Sequence, residues 1–211
     1  MNCFAVSITA LAAAAAIATA TPALAGGENF DAITPGALPL GWACSVTGGG
    51  SPIWKVEADP SASSKPNVLK QSGKGTFPWC ADKLVSITDG SVEVKFKPIS
   101  GSEDQAGGVV WRFKDGDNYY VARANALENN VSLYHTQKGR RITIKYVDVP
   151  VTGKQWHVLR VDFVGKAIKV SLDGKQYIAL DDDHISGPGA VGVWTKADSV
   201  TAFDDFTYSG N

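Results

Sequence analysis

Apolar and polar side chains alternate with period two through the second half of the chain. Ser91–Phe96 places Val92, Val94 and Phe96 on one face and Glu93 and Lys95 on the other, the pattern of a half-buried strand. Gly107–Lys114 and Asn118–Asn125 flank Asp115-Gly116-Asp117, a turn signal, and so read as two strands of a hairpin. Val131–Thr136 and Arg141–Val147 follow, split by Lys138-Gly139. Trp156–Val164 alternates Leu159, Val161 and Phe163. Ile168, Val170 and Leu172 lead into Asp173-Gly174, and Tyr177–Leu180 returns. Ala190–Thr195 and Val200–Tyr208 close the series. Asp59–Pro66 (DPSASSKP) is polar and rich in serine and proline, and predicts a surface loop. No stretch after residue 26 has helical periodicity. Roughly a dozen short strands with turns every ~8–12 residues predict a β-sandwich or a barrel.

The first 25 residues break this pattern. They carry no charged side chain, and Leu11–Ala20 is almost entirely alanine, isoleucine and leucine. Ala23-Leu24-Ala25 then offers a small-x-small site, so residues 1–25 read as a signal peptide cleaved after Ala25. The apolar run is too short for a membrane span. No Lys or Arg precedes it, a departure from the usual signal-peptide pattern; a buried N-terminal helix is the competing reading. The expected mature chain, 26–211, is a single domain that is secreted or periplasmic. Cys3 leaves with the signal peptide. Cys44 and Cys80 remain and predict a disulfide in an oxidising compartment, with two unrelated thiols as the alternative. The bridge would close a loop of roughly 36 residues and contribute about 4 kcal/mol in the chain-entropy picture. Neither cysteine has a Cys or His neighbour at zinc-ligand spacing.

Charge narrows the partners. The 211 residues carry 20 basic and 21 acidic side chains, a formal net charge of −1. That balance argues against nucleic acid, whose phosphates call for a basic face, and against attachment to an anionic membrane by charge alone. It leaves room for a local basic patch.

Three segments carry a resemblance. GGVVWRFKDGDNYYVARANALENNVSLYH (Gly107–His135) is similar to the middle of laminin G-like and related concanavalin A-like domains of bacterial secreted proteins. QWHVLRVDFVGKAIKVSLDGK (Gln155–Lys175) resembles their W-H-x-L-x-V, short gap, V-x-L-D-G pattern, and VGVWTKADSVTAFDDFTYS (Val191–Ser209) resembles their ending. The resemblance spans about residues 84–209 and neighbours the domains labelled 3-keto-disaccharide hydrolases. It implies an all-β fold: a two-sheet antiparallel jelly-roll sandwich of the concanavalin A-like lectin/glucanase superfamily, one sheet curved, with carbohydrate bound on the concave side or at its edge loops. The superfamily holds lectins, glycanases and lyases, so it does not by itself assign an activity.

The chemistry favours binding. Glycoside hydrolysis needs two carboxyl groups beside the scissile bond, which related glucanases place on one strand as Glu-x-Asp-x-x-Glu. That motif is absent, and Glu93 reads as a solvated strand residue. Elimination from uronic acid polymers needs a Tyr or His base and a cation or amide for the sugar carboxylate. Arg112–His135 contains those types, but no lyase motif is recognised. A saccharide platform needs only rings to stack on and polar groups to grip hydroxyls. Arg112, Tyr120, Arg123, Asn125, Tyr134 and Trp194 are the candidates. Their competing reading is structural: the rings as core, and the arginines paired with Glu128 or a nearby aspartate. Trp42, Trp54, Trp111, Phe113 and Trp156 read as core. The reading is therefore a carbohydrate-recognition module, non-catalytic, taking a poly- or oligosaccharide, with a glycoside hydrolase or polysaccharide lyase as the alternative and cell-surface or matrix components as further partners. The resemblance also implies a structural Ca²⁺ where the last strand meets the first. Asp205 occupies the matching position, with Glu28 or Asp31 to complete an oxygen shell; a plain strand-end acid is the alternative. Asp181-Asp182-Asp183 reads as a solvated turn. His135, His157 and His184 lie far apart in sequence, and His157 reads as structural.

Overall fold

The computed structural model describes residue 1 and residues 24–211. The predicted signal peptide falls almost wholly outside the described residues; its last two, Leu24 and Ala25, open the first strand. The strands in chain order are β1 (Leu24–Glu28), β2 (Trp42–Ser51), β3 (Trp54–Ala58), β4 (Asn67–Gln71), β5 (Lys74–Ile87), β6 (Gly90–Ser100) and β7 (Ala106–Asp115). They continue with β8 (Asn118–Asn125), β9 (Asn130–Gln137), β10 (Arg140–Asp148), β11 (His157–Val164), β12 (Ala167–Leu172), β13 (Lys175–Asp181), β14 (Gly189–Trp194) and β15 (Val200–Gly210). All pairings are antiparallel. One eight-stranded sheet runs β13-β12-β11-β6-β15-β4-β3, with β1 also on β15, and a seven-stranded sheet runs β10-β9-β8-β7-β14-β5-β2. This is the expected two-sheet antiparallel sandwich.

Local chemistry explains the hairpins. Asp173 and Gly174 both have positive φ (51° and 77°), as the two-residue turn between β12 and β13 demands. At the β7–β8 turn, Asp115 Oδ1 accepts from the Asp117 amide (2.8 Å) and from Asn118 Nδ2 (2.9 Å). Each ten-residue-scale strand predicted in the second half is present. Five more, β1 to β5, fill the first half, where glycine runs and Pro78 mask the alternation. Cys44 and Cys80 sit directly opposite each other on β2 and β5 and are joined by the expected disulfide.

The two sheets differ in how they meet water. The eight-stranded sheet alternates: Val92, Val94, Phe96, Leu159, Val161 and Phe163 face inward, while Glu93, Arg160 and Asp162 reach solvent. The seven-stranded sheet is buried on both faces along its central strands β7, β8, β9 and β14, while its edge strands β2 and β10 stay largely exposed. Its inner face supplies Val109, Trp111, Tyr120, Ala122 and Leu133 to the core between the sheets. Its outer face carries a second apolar layer of Val110, Phe113, Tyr119, Val121, Tyr134 and Trp194, drawn from the same strands by alternation. That layer shields itself by ring packing: Phe77 on Trp194 (5.8 Å between centroids), Phe113 on Tyr119 (5.3 Å) and Trp79 on Phe113 (4.8 Å).

Candidate ligand site on the outer face of the seven-stranded sheet

Arg141, near the start of the edge strand β10, leans across this aromatic layer. Its guanidinium lies 4.2 Å from the Tyr134 ring centre, 4.4 Å from Phe77 and 5.6 Å from Trp194, within cation–π range of all three. Nη1 is buried and has no hydrogen-bond partner among the described residues. Burial pulls the guanidinium's pKa down from its ordinary value. A planar cation with a desolvated, unspent donor is a group prepared for an acceptor. It opens into a cleft of about 470 Å³, lined by Arg141, Phe77, Lys196, Glu103, Lys74 and a glycine-rich wall at Gly49-Gly50 and Gly75. Phe77 is half-buried there, leaving part of its ring available for stacking.

Below one end of the cleft lies a charge network. Arg123 Nη1 is 3.1 Å from Asp104 Oδ1, and Arg123 Nη2 bonds Glu128. Lys196 Nζ bonds Asp104 and lies 3.6 Å from Glu128 Oε1. Asn125 Nδ2 also donates to Asp104, and its Oδ1 accepts from the Leu127 amide at 2.9 Å, forming the β8–β9 turn. Asp104 is fully buried, and burial pushes its carboxyl up despite Arg123 and Lys196. Burial also pushes Glu128 up, but Asn130, Arg123 and Lys196 outweigh it and hold that carboxyl below its ordinary range.

The six predicted platform residues divide. Arg123, Asn125, Tyr134 and Trp194 share the outer face, but all are 0–3 % exposed. They form the floor and frame beneath Arg141 rather than an open surface. Arg112 and Tyr120 are elsewhere. Arg112 has φ 45° at a register shift, which breaks the alternation and turns its side chain inward. It donates to the carbonyls of Thr88 (3.3 Å), Ile185 (3.1 Å) and Gly165, and lies against the core ring of Phe163. Tyr120 stacks on Trp111 in the core (5.2 Å); its hydroxyl donates to Asp182 and accepts from the Ile185 amide at 3.1 Å. Neither meets a ligand surface. Phe77, Arg141, Lys196 and Glu103 were not among the predicted residues. The Phe77-x-Trp79 alternation was a usable signal, hidden by the intervening Pro78.

The predicted oxygen shell does not assemble. Asp205, in a bulge of β15 with φ 46°, pairs with Lys95 Nζ at 2.8 Å. Glu28 accepts from the Phe30 amide (2.8 Å), and Asp31 from the Asn67 amide (3.1 Å). Glu28 and Asp205 border one shallow hollow, but Asp31 does not line it. Among the described residues, the three-member group whose ligand atoms lie mutually within 4.8 Å is His135, Asp182 and His184, and that group has the donors to hold a metal ion. Asp182 is not a solvated turn residue: its side chain is 8 % exposed and bonded to Tyr120. His157 is structural as expected, with Nδ1 2.7 Å from Asp173 and Nε2 2.8 Å from the Thr152 carbonyl. No helix among the described residues is long and apolar enough to cross a membrane.

No protein-family profile matches the chain, and no curated protein matches it. Solved structures do. A carbohydrate-binding module, CBM66, from Bacillus subtilis superposes with TM-score 0.67 at 19% identity, covering 81% of this chain and 96% of that one. A Bacteroides ovatus mixed-linkage-glucan GH16 protein gives 0.59 at 8% identity, covering 87% and 99%. A Bacillus licheniformis β-glucanase gives 0.55 at 13% identity, covering 89% and 98%. The strand order, the paired sheets and these superpositions agree: the chain has the concanavalin A-like jelly-roll fold that carbohydrate-binding modules and glucanases share.

Proposed function

We propose that this chain is an extracytoplasmic carbohydrate-active domain that grips an acidic poly- or oligosaccharide in the Arg141 cleft. The observation that carries the reading is the Arg141 side chain, which lines the cleft with its guanidinium fixed among three rings and its buried Nη1 unpaired. Lys74 adds positive charge to the lining, Lys196 is paired with Asp104 beneath it, and Glu103 is the lining's single acid. A sugar carboxylate would meet Arg141 and Lys74 while the apolar face of the sugar ring stacks on Phe77. The disulfide and the apolar leader support a location outside the cytoplasm.

Affinity electrophoresis against polygalacturonate and neutral mixed-linkage β-glucan tests this. The acidic polymer should retard the protein more, and less so at high salt. Arg141→Ala and Phe77→Ala, checked for unchanged melting, should each weaken retention about tenfold or more. No retention, or retention indifferent to both variants, sinks the reading.

A second reading, hydrolysis of the same polymer, is favoured by the glucanases of this fold and by the acids Asp104 and Glu128 that pair with the cleft residue Lys196. Asp104 is pushed up while Glu128 is held down, the split that separates a general acid from a base. Both are bound by Arg123 and Lys196, which leaves the binding reading ahead. Release of reducing ends, abolished by Glu128→Gln, would reverse that order.

A further inference from the structure

On the opposite side of β9 from Tyr134, the sandwich brings together two of its three histidines. The ring centres of His135 and His184 are 4.0 Å apart, and His184 Nδ1 lies 2.9 Å from Asp182 Oδ2. His135 is 2 % exposed, and neither of its ring nitrogens has a hydrogen-bond partner among the described residues. A buried imidazole with a donor and an acceptor both unspent is costly to the fold unless something else engages it. We propose that His135, Asp182 and His184 form a binding site for a divalent transition ion of the zinc class.

The donor set decides the class. Two imidazole nitrogens and one carboxylate suit zinc and its neighbours, whereas Ca²⁺ takes six to eight oxygens. The ligand atoms lie mutually within 4.8 Å. Zinc–ligand bonds of about 2.0–2.2 Å would draw them closer, a movement open to His184, whose side chain is 51 % exposed. The support around the site resembles that of a built metal centre. Tyr120 donates to Asp182 and orients its carboxylate. Gln137 Nε2 holds the His184 carbonyl at 3.0 Å, and Arg112 holds that of Ile185 at 3.1 Å. The ion would tie β9 of the seven-stranded sheet to the loop by which the chain leaves β13 of the other sheet, with a fourth position open to water.

The test uses the full domain without a histidine tag, stripped with chelator and titrated with Zn²⁺, Co²⁺, Ca²⁺ and Mg²⁺. One Zn²⁺ per chain should bind in calorimetry, Co²⁺ should give a tetrahedral absorption band, and Zn²⁺ in hundredfold excess over Kd should raise Tm by about 5–10 °C. Ca²⁺ and Mg²⁺ at the same concentrations should shift nothing. His184→Ala, at an exposed position, should weaken Zn²⁺ at least thirtyfold, and Asp182→Asn at least tenfold. Absence of saturable binding, or Zn²⁺ affinity unchanged in His184→Ala, overturns the site. Ca²⁺ binding lost in Asp182→Asn but kept in His184→Ala overturns the assignment of the ion.

Discussion

Arg123 shows how one side chain can look like a ligand grip and be a structural tie. It is 2 % exposed and neutralises Asp104, itself fully buried, while its other nitrogen bonds Glu128. The sequence offered both readings, and burial decides between them, because both Nη atoms are held by carboxylates and the unpaired Nε is sealed from solvent, where no ligand reaches it. Arg123→Ala should cost about 3 kcal/mol in urea unfolding, since it strands a buried carboxylate with Lys196 as its remaining cation. Adding Asp104→Asn in that background should recover part of the loss by removing the orphaned charge. Arg141 is the converse case. Its alternation with Ile142 and Ile144 was visible, but its three aromatic neighbours come from β5, β9 and β14, and no spacing along the chain reveals them.

At the scale of elements, the segment between β6 and β7 matters most, because it carries Glu103 to the cleft and Asp104 into the charge network beside it. One aspartate holds it. Asp198 accepts from the amides of Ser102 (2.8 Å), Glu103 (2.9 Å) and Asp104 (3.1 Å). Slight burial pushes its carboxyl up, but those three N–H groups prevail and hold its pKa at about 2. A folded-state pKa below the unfolded value of about 3.9 makes the contribution fully present above pH ~4 and lost as pH falls from ~4 through ~2. The Tm advantage of the native chain over Asp198→Asn should therefore be constant near neutrality and shrink through that acid window. A gap that stays constant with pH would show that the carboxylate's charge is not what anchors the segment. The strands themselves were legible where alternation was clean, as in β6, β11 and β12. β2 and β5 were not, because glycines and Pro78 interrupt the pattern, and Arg112 escaped because its left-handed backbone breaks the alternation from which an outward side chain was inferred.

The whole molecule is two sheets packed on a shared apolar core, with one covalent bond among the described residues, between neighbouring strands of the seven-stranded sheet. Replacing Cys44 and Cys80 together by alanine should lower unfolding stability by about 2–4 kcal/mol while leaving the far-ultraviolet spectrum of the sandwich in place. A larger loss with collapse of that spectrum would mean that β2 depends on the bridge to pair at all. The sequence by itself determined an all-β fold and the absence of a one-strand carboxylate motif, and it favoured the Cys44–Cys80 bridge, since period-two patterning, turn residues and cysteine parity are read along the chain. Only the tertiary structure decided which rings are floor and which are reachable, that Lys95 neutralises Asp205, and that His135 meets His184 across 48 intervening positions. Those outcomes depend on which strands lie side by side in a sheet and on what remains unpaired after folding, and both are set by contacts between residues distant in the chain.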